Sequence, residues 1–121
     1  MTGVAGALYR FFSGFGLPIY AEGSVPQRAR TPYITVRLIR PDWQATVDFT
    51  ARLWYRDDSF EAIDAKVDAI AEAIGAGACV PMERGAVWVY KDDVFAQYIP
   101  FDGDVTLKCV YLRMKLQIVG E

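Results

Sequence analysis

No stretch of this chain limits its fold as much as Asp58 to Ile74, which reads D-S-F-E-A-I-D-A-K-V-D-A-I-A-E-A-I. Apolar side chains fall at Phe60, Ile63, Val67, Ile70 and Ile74, while Glu61, Asp64, Lys66, Asp68 and Glu72 take the other side. That spacing predicts an amphipathic helix with one buried stripe. Asp58 is placed to cap the first turn, and Glu61 to close a capping box with it. Gly75 follows the last periodic residue and supplies the stop. Burying the stripe stabilises by roughly 1.5–3 kcal/mol per side chain before the entropy of ordering is charged against it. Such a helix needs a sheet to lie on.

The rest of the chain supplies strand patterns. Tyr33 to Arg40 alternates, with Ile34, Val36 and Leu38 on one face and Tyr33, Thr35 and Arg37 on the other. After a turn near Pro41 to Gln44, Val47, Phe49, Ala51, Leu53 and Tyr55 face one way and Asp48, Thr50, Arg52 and Trp54 the other. Two half-buried strands joined so closely are expected to pair antiparallel. Gly75 to Gly85 reads as a loop. Ala86 to Tyr90 and Val94 to Ile99 read as two strands around a hairpin turn at Lys91-Asp92-Asp93. Phe101 to Asp104 is another turn. The final run, Val105 to Val119, changes phase near Cys109-Val110, where a β-bulge would reconcile its halves.

Upstream, Val4, Leu8, Phe11, Phe12 and Phe15 recur at helical spacing, which predicts a first helix over residues 3–13 with its phenylalanines in the core. Leu17 to Pro32 carries three prolines and no period, and reads as a long connection. Connections of that length in a compact domain are uncommon and usually functional or disordered. Its apolar Pro18-Ile19-Tyr20 is a docking candidate, on this subunit or a neighbour. The expected architecture is α+β, an antiparallel sheet with two helices packed on one face, in one domain spanning residues 1–121.

Composition removes several kinds of chemistry. Hydrophobic residues make up 53% and charged residues 23%, which excludes a disordered chain. A net charge of −2 gives no reason to expect bulk affinity for nucleic acid or an anionic membrane. No apolar run approaches the roughly 20 residues that span a bilayer, and the first ten residues lack the basic start of a secretory signal. Histidine is absent, and with it the usual general base and the commonest metal ligand. Cys79 and Cys109 are too few for a disulfide scaffold or a four-cysteine zinc site, and their apolar surroundings suit buried thiols in a cytoplasmic protein. Asp57-Asp58, Asp92-Asp93 and Asp102-Gly103-Asp104 lack the ligand count of a calcium loop and suit caps and turns. No catalytic residues, cofactor or metal are expected, and the chain does not read as an enzyme.

Charge is unevenly placed along the sequence. Residues 1–40 hold Arg10, Arg28, Arg30, Arg37 and Arg40 against Glu22 alone, a balance of +4, while residues 41–121 carry −6. Opposite charge on two regions suits two faces that meet between copies of the protein. Arg28 and Arg30 are candidates for one such face. Asp64, Asp68 and Glu72, in a row on the central helix, read as a solvated face or as an acidic patch that meets a neighbour's arginines.

Taken in order, several short motifs resemble a known family. Leu8 to Pro26 reads L-Y-R-F-F-S-G-F-G-L-P-I-Y-A-E-G-S-V-P, and P-Y-I-T-V follows at Pro32 to Val36. A tryptophan-bearing strand, D-S-F before the second helix, K-V-D-A-I-A-E-A-I, a second tryptophan strand at Trp88 and a long final strand complete the series. The order is similar to that of tail-terminator-like proteins of tailed bacteriophages and prophages, also described as minor capsid, tail-completion or head–tail joining proteins. The resemblance implies a structural role, a ring of subunits, commonly six, at the head-proximal end of the tail. Its implied partners are further copies of the chain, tail-tube proteins and head-connector proteins, with no membrane, no sequence-specific nucleic acid, and passage for DNA through the ring. The implied location is the bacterial host cytoplasm during assembly and the tail or neck of the virion afterwards. Two alternatives stand beside it. One is another head–tail neck component, and the other is a small anionic-ligand-binding α+β domain using the arginines of Arg28 to Arg40.

Overall fold

The computed structural model describes residues 3–39 and 46–120, a mixed α+β arrangement of two helices and one six-stranded sheet. Along the chain the elements are α1 (Val4–Ser13), β1 (Ile19–Ala21), β2 (Tyr33–Ile39), β3 (Thr46–Arg56), α2 (Glu61–Ile74), β4 (Ala78–Pro81), β5 (Ala86–Ile99) and β6 (Leu107–Val119). In space the strands run β1-β2-β3-β6-β5-β4. β1 is parallel to β2 and every other neighbouring pair is antiparallel. The sheet is therefore mixed, where the alternation alone predicts an antiparallel one. Arg40 and the turn expected at Pro41 to Gln44 lie outside the described residues.

One core explains the pattern. Ile34 and Val36 of β2, Val47, Phe49, Ala51, Leu53 and Tyr55 of β3, Val110, Leu112, Met114 and Leu116 of β6, and Val87 and Val89 of β5 are all buried. The registers stack these residues into rows, such as Ile34–Leu53–Val110 and Val36–Ala51–Leu112, so they share one face of the sheet. Val4, Ala7, Leu8 and Phe12 of α1 and Ile63, Val67, Ile70 and Ile74 of α2 belong to the same buried cluster. Phe12 packs against Phe49 at 5.5 Å between ring centroids and edge-on to Phe11 at 5.1 Å.

Several expectations need correction. α2 begins at Glu61, with Phe60 at the N-cap position, so Asp58 stands too early to reach the first-turn amides, and no side chain caps the helix. Asp57 instead accepts from the Asp58 N–H at 2.7 Å, and Ser59 from the Glu61 N–H at 3.3 Å. Phe60 leaves the buried stripe. It sits 36% exposed, edge-on to Tyr98, with the Lys108 ammonium 5.0 Å over its ring. Cys79 is exposed on the edge strand β4, whereas Cys109 is buried and burial pushes its thiol up to about 11.

Strand count and continuity differ too. The long connection from Leu17 contains β1, which docks Ile19, Tyr20 and Ala21 beside Ile34, Thr35 and Val36. The loop after Gly75 contains β4, and Gly77 at φ 154 leads into it with the Tyr90 ring where a Cβ would stand. Lys91-Asp92-Asp93 is not a hairpin turn, because β5 runs on through it. Between Lys91–Met114 and Ala96–Leu112 the register advances five residues on β5 and two on β6, so the extra residues bulge out. β4 pairs only as far as Val89, so this bulge lies on an uncovered edge, where charge and irregularity oppose strand addition. β6 stays in register with β3 from Leu107 to Leu116 and has no bulge there. Its phase change arises because Lys108, Cys109 and Val110 are all buried, from both faces of the sheet.

Candidate interaction surfaces

The side chains that alternate with the core rows form the other face of the sheet, and its chemistry is arginine and aromatic. Arg52 lies across from Thr35 on one side and Tyr111 on the other. The Arg52 guanidinium sits 4.8 Å from the Tyr111 ring centroid and that of Arg113 5.1 Å from it, so one ring serves two cations. Glu22, just past β1, is shared by Arg37 at 3.9 Å and Arg52 at 3.8 Å. Such long, partly exposed pairs are worth about 0–1 kcal/mol each. Nε of Arg52, shielded from solvent, has no hydrogen-bond partner among the described residues. Arg113 reaches Gln97 at 3.3 Å, and Lys115 stands 3.6 Å from Asp48. Trp54 donates its indole N–H to Thr35 Oγ1 at 3.0 Å, which fixes the ring against the sheet.

At one end this face deepens into a cleft of about 520 Å³ lined by Ala29, Arg30, Thr31, Tyr33, Trp54, Arg56 and Leu107. The connection from Glu22 to Pro32 thus brings Arg30 to the sheet residues Tyr33, Trp54 and Arg56. Arg56 donates to Asp104 Oδ2 at 2.6 Å and to Thr106 Oγ1 at 2.9 Å, tying the end of β3 to the turn before β6. The Arg56 bond, with a second from Thr106, lowers the Asp104 carboxyl to about 2. A depressed carboxylate contributes stability above its unfolded value and loses it as pH falls through the folded one. Wild-type stability is therefore expected to drop between about pH 4 and pH 2 partly through Asp104. Asp104→Asn should flatten that limb in urea melts taken across the window, and an unaltered pH slope would show that the pair does not differ between folded and unfolded chain.

Arg28 and Arg30 are both exposed, and neither has an ion pair or hydrogen bond among the described residues. Pro18 accepts the Ile34 N–H at 2.9 Å, and with Ile19 it lines a groove of about 500 Å³ alongside Tyr9, Arg10, Ser13 and Leu17. Ile19 packs against the core and Tyr20 meets Tyr33 edge-on at 5.6 Å. The apolar segment is thus docked on its own subunit, with the outer edge of β1 facing away.

The acidic candidates divide. Glu61, Asp68 and Glu72 are exposed on α2, whereas Asp64 is half-buried beside Tyr98. Burial first, then the hydrogen bond that the hydroxyl donates to Asp64 and the charges of Asp64 and Asp68, push the Tyr98 hydroxyl up to about 12. Lys66, the one cation of α2, donates to the Phe15 carbonyl at 2.7 Å and so ties the helix to the end of the α1 segment. No ion pair among the described residues joins these acids to Arg28 or Arg30. The alternation of β3 and β6 was enough to put Arg52 and Arg113 on a wet face. Their convergence on Tyr111 depends on the pairing of β3 with β6, which sets Arg52 directly opposite Tyr111 from a distant part of the chain.

Among the described residues no helix is long and apolar enough to cross a membrane, and no cluster of three or more acidic, thiol or imidazole groups could hold a metal ion. No protein-family model and no curated protein sequence matches this chain.

Proposed function

We propose that this chain is a structural subunit of a phage or prophage, a tail-terminator-like or tail-completion protein that forms a ring at the head-proximal end of the tail. In this reading the two helices lie on one face of the sheet in the manner of that family. Copies meet head to tail, a heterologous contact that closes when the rotation between neighbours divides a full turn. The ring, six subunits in the leading version, engages tail-tube proteins on one side and head-connector proteins on the other. It assembles in the host cytoplasm and ends in the virion.

The observation that carries the proposal is the arm from Glu22 to Pro32. It lies in the stretch whose sequence resembles the family, and the fold anchors it at both ends through β1 and β2. Yet it exposes Arg28 and Arg30 with nothing inside the chain to receive them among the described residues. Two unpaired guanidiniums held on an ordered arm suit a partner's carboxylates.

Negative-stain microscopy of the purified chain, alone at high concentration and with tail-tube protein, is the test. Rings are expected for the wild type. The Arg28→Glu, Arg30→Glu double variant should keep its melting temperature within a few degrees and lose the rings. A wild type that stays monomeric even with tail tubes present would overturn the proposal. A variant that melts early would make the arginines part of the scaffold.

A further inference from the structure

Among the described residues the two faces of the subunit carry opposite charge, and both helices pack on the core side of the sheet, not over the arginine face. On the sheet face, Arg30, Arg37, Arg52, Arg56, Arg113 and Lys115 stand against Glu22, Asp48 and Asp104. Among the described residues those three acids are already engaged, and the remaining charge is positive. On α2 the order is reversed. Glu61, Asp68 and Glu72 are exposed, while the helix's single lysine is held by the Phe15 carbonyl. The buried stripe of α2 faces the core rows of the sheet, so its acidic row looks away from the arginine face of the same molecule. One chain therefore owns both halves of a complementary contact and cannot close it on itself.

We infer that the arginine-aromatic face of the sheet receives the acidic row of α2 from a second copy of this chain. This rests on the ring proposed above and names the surfaces that would join its subunits. Aromatic and arginine side chains suit the centre of such a contact, because the Tyr111 ring already holds Arg52 and Arg113 in place. Guanidiniums fixed in advance lose little freedom when a carboxylate arrives. The contact uses a different patch on each partner, so every subunit keeps one free half until the assembly closes.

A charge exchange separates this from its competitors. One variant carries Arg30→Glu and Arg113→Glu, the other Asp68→Lys and Glu72→Lys, all at exposed positions. Each variant alone brings like charges together at every contact, and assembly should need at least about tenfold more protein. An equimolar mixture restores opposite charge at both kinds of contact, so it should assemble near the wild-type concentration, with the two chains alternating in equal numbers by native mass spectrometry. Melting curves of each variant check that it folds, and Lys108 and the core rows are untouched by either. If each variant forms rings alone as readily as the wild type, the assigned surfaces are wrong although the ring stands. If the first variant assembles normally but loses binding to a single-stranded oligonucleotide, the arginine face serves nucleic acid and the inference falls. A wild type that never assembles removes both the ring and this contact.

Discussion

Phe12→Ala is expected to destabilise the domain by about 3–5 kcal/mol, the range for removing a large aromatic ring from a packed core. Phe12 has no exposed surface, and its ring meets Phe11, Phe15 and Phe49 at 5.1, 6.0 and 5.5 Å. Two of those three rings come from the α1 segment and the third from β3. The pocket left by the ring cannot collapse without moving a helix relative to the sheet. α1 is also a weak helix in its own right. It has ten residues, an N-cap glycine without a side-chain bond and no acidic residue in its first turn. A helix that short is marginal in isolation, so its place depends on what it buries. For a domain of this size the loss should lower the melting temperature by roughly 10–20 °C. Phe11→Ala removes a half-buried ring from the same helix and should cost less. Equal losses from the two, or none from Phe12, would mean that α1 does not pack as described.

Much of this fold was readable because local pattern and final burial agree. The stripe Ile63, Val67, Ile70 and Ile74 and the alternations of β2, β3 and β6 need only one residue's neighbours along the chain to be recognised. The failures share a different cause. β1 and β4 are three and four residues long, set close between prolines and glycines (Pro18 and Gly23, Gly77 and Pro81), and exist as strands because β2 and β5 offer them an edge. No period fits in so few residues. Lys91-Asp92-Asp93 has the composition of a turn, yet β6 continues beside it and holds the backbone extended on both sides of the bulge. Charge at that point protects an uncovered edge, a tertiary reason that composition does not reveal.

The candidate surfaces were legible to a similar degree and for similar reasons. Asp68 and Glu72 could be singled out because they lie on the polar side of a periodic helix, and Arg28 and Arg30 because basic charge gathers in residues 1–40. Asp64 could not be separated from Asp68 in the same way, because its half-buried place beside Tyr98 of β5 is a product of tertiary packing. The sharing of Tyr111 between Arg52 and Arg113 is likewise a product of strand pairing. Local sequence says which side chains are wet; the sheet decides which of them become neighbours.

Ile70→Ala should cost about 2–5 kcal/mol, whereas Phe60→Ala, at the other end of the same apparent stripe, should cost much less. Both residues fit the helical spacing. Ile70 has no exposed surface and sits within the core cluster, while Phe60 stands 36% exposed at the start of the helix. Truncating Phe60 removes its edge contact with Tyr98 and the ring under the Lys108 ammonium, at a position outside the core cluster. Thermal melts of the two variants beside Asp68→Lys, Glu72→Lys give three readings from one helix. A large drop for Ile70, a small one for Phe60 and none for the charge pair would show that the inner face of α2 carries stability and leaves its outer face free to be used by a partner. If the charge pair costs as much as Ile70, the acidic row is tied into the fold, and a contact between copies has to be sought on another surface.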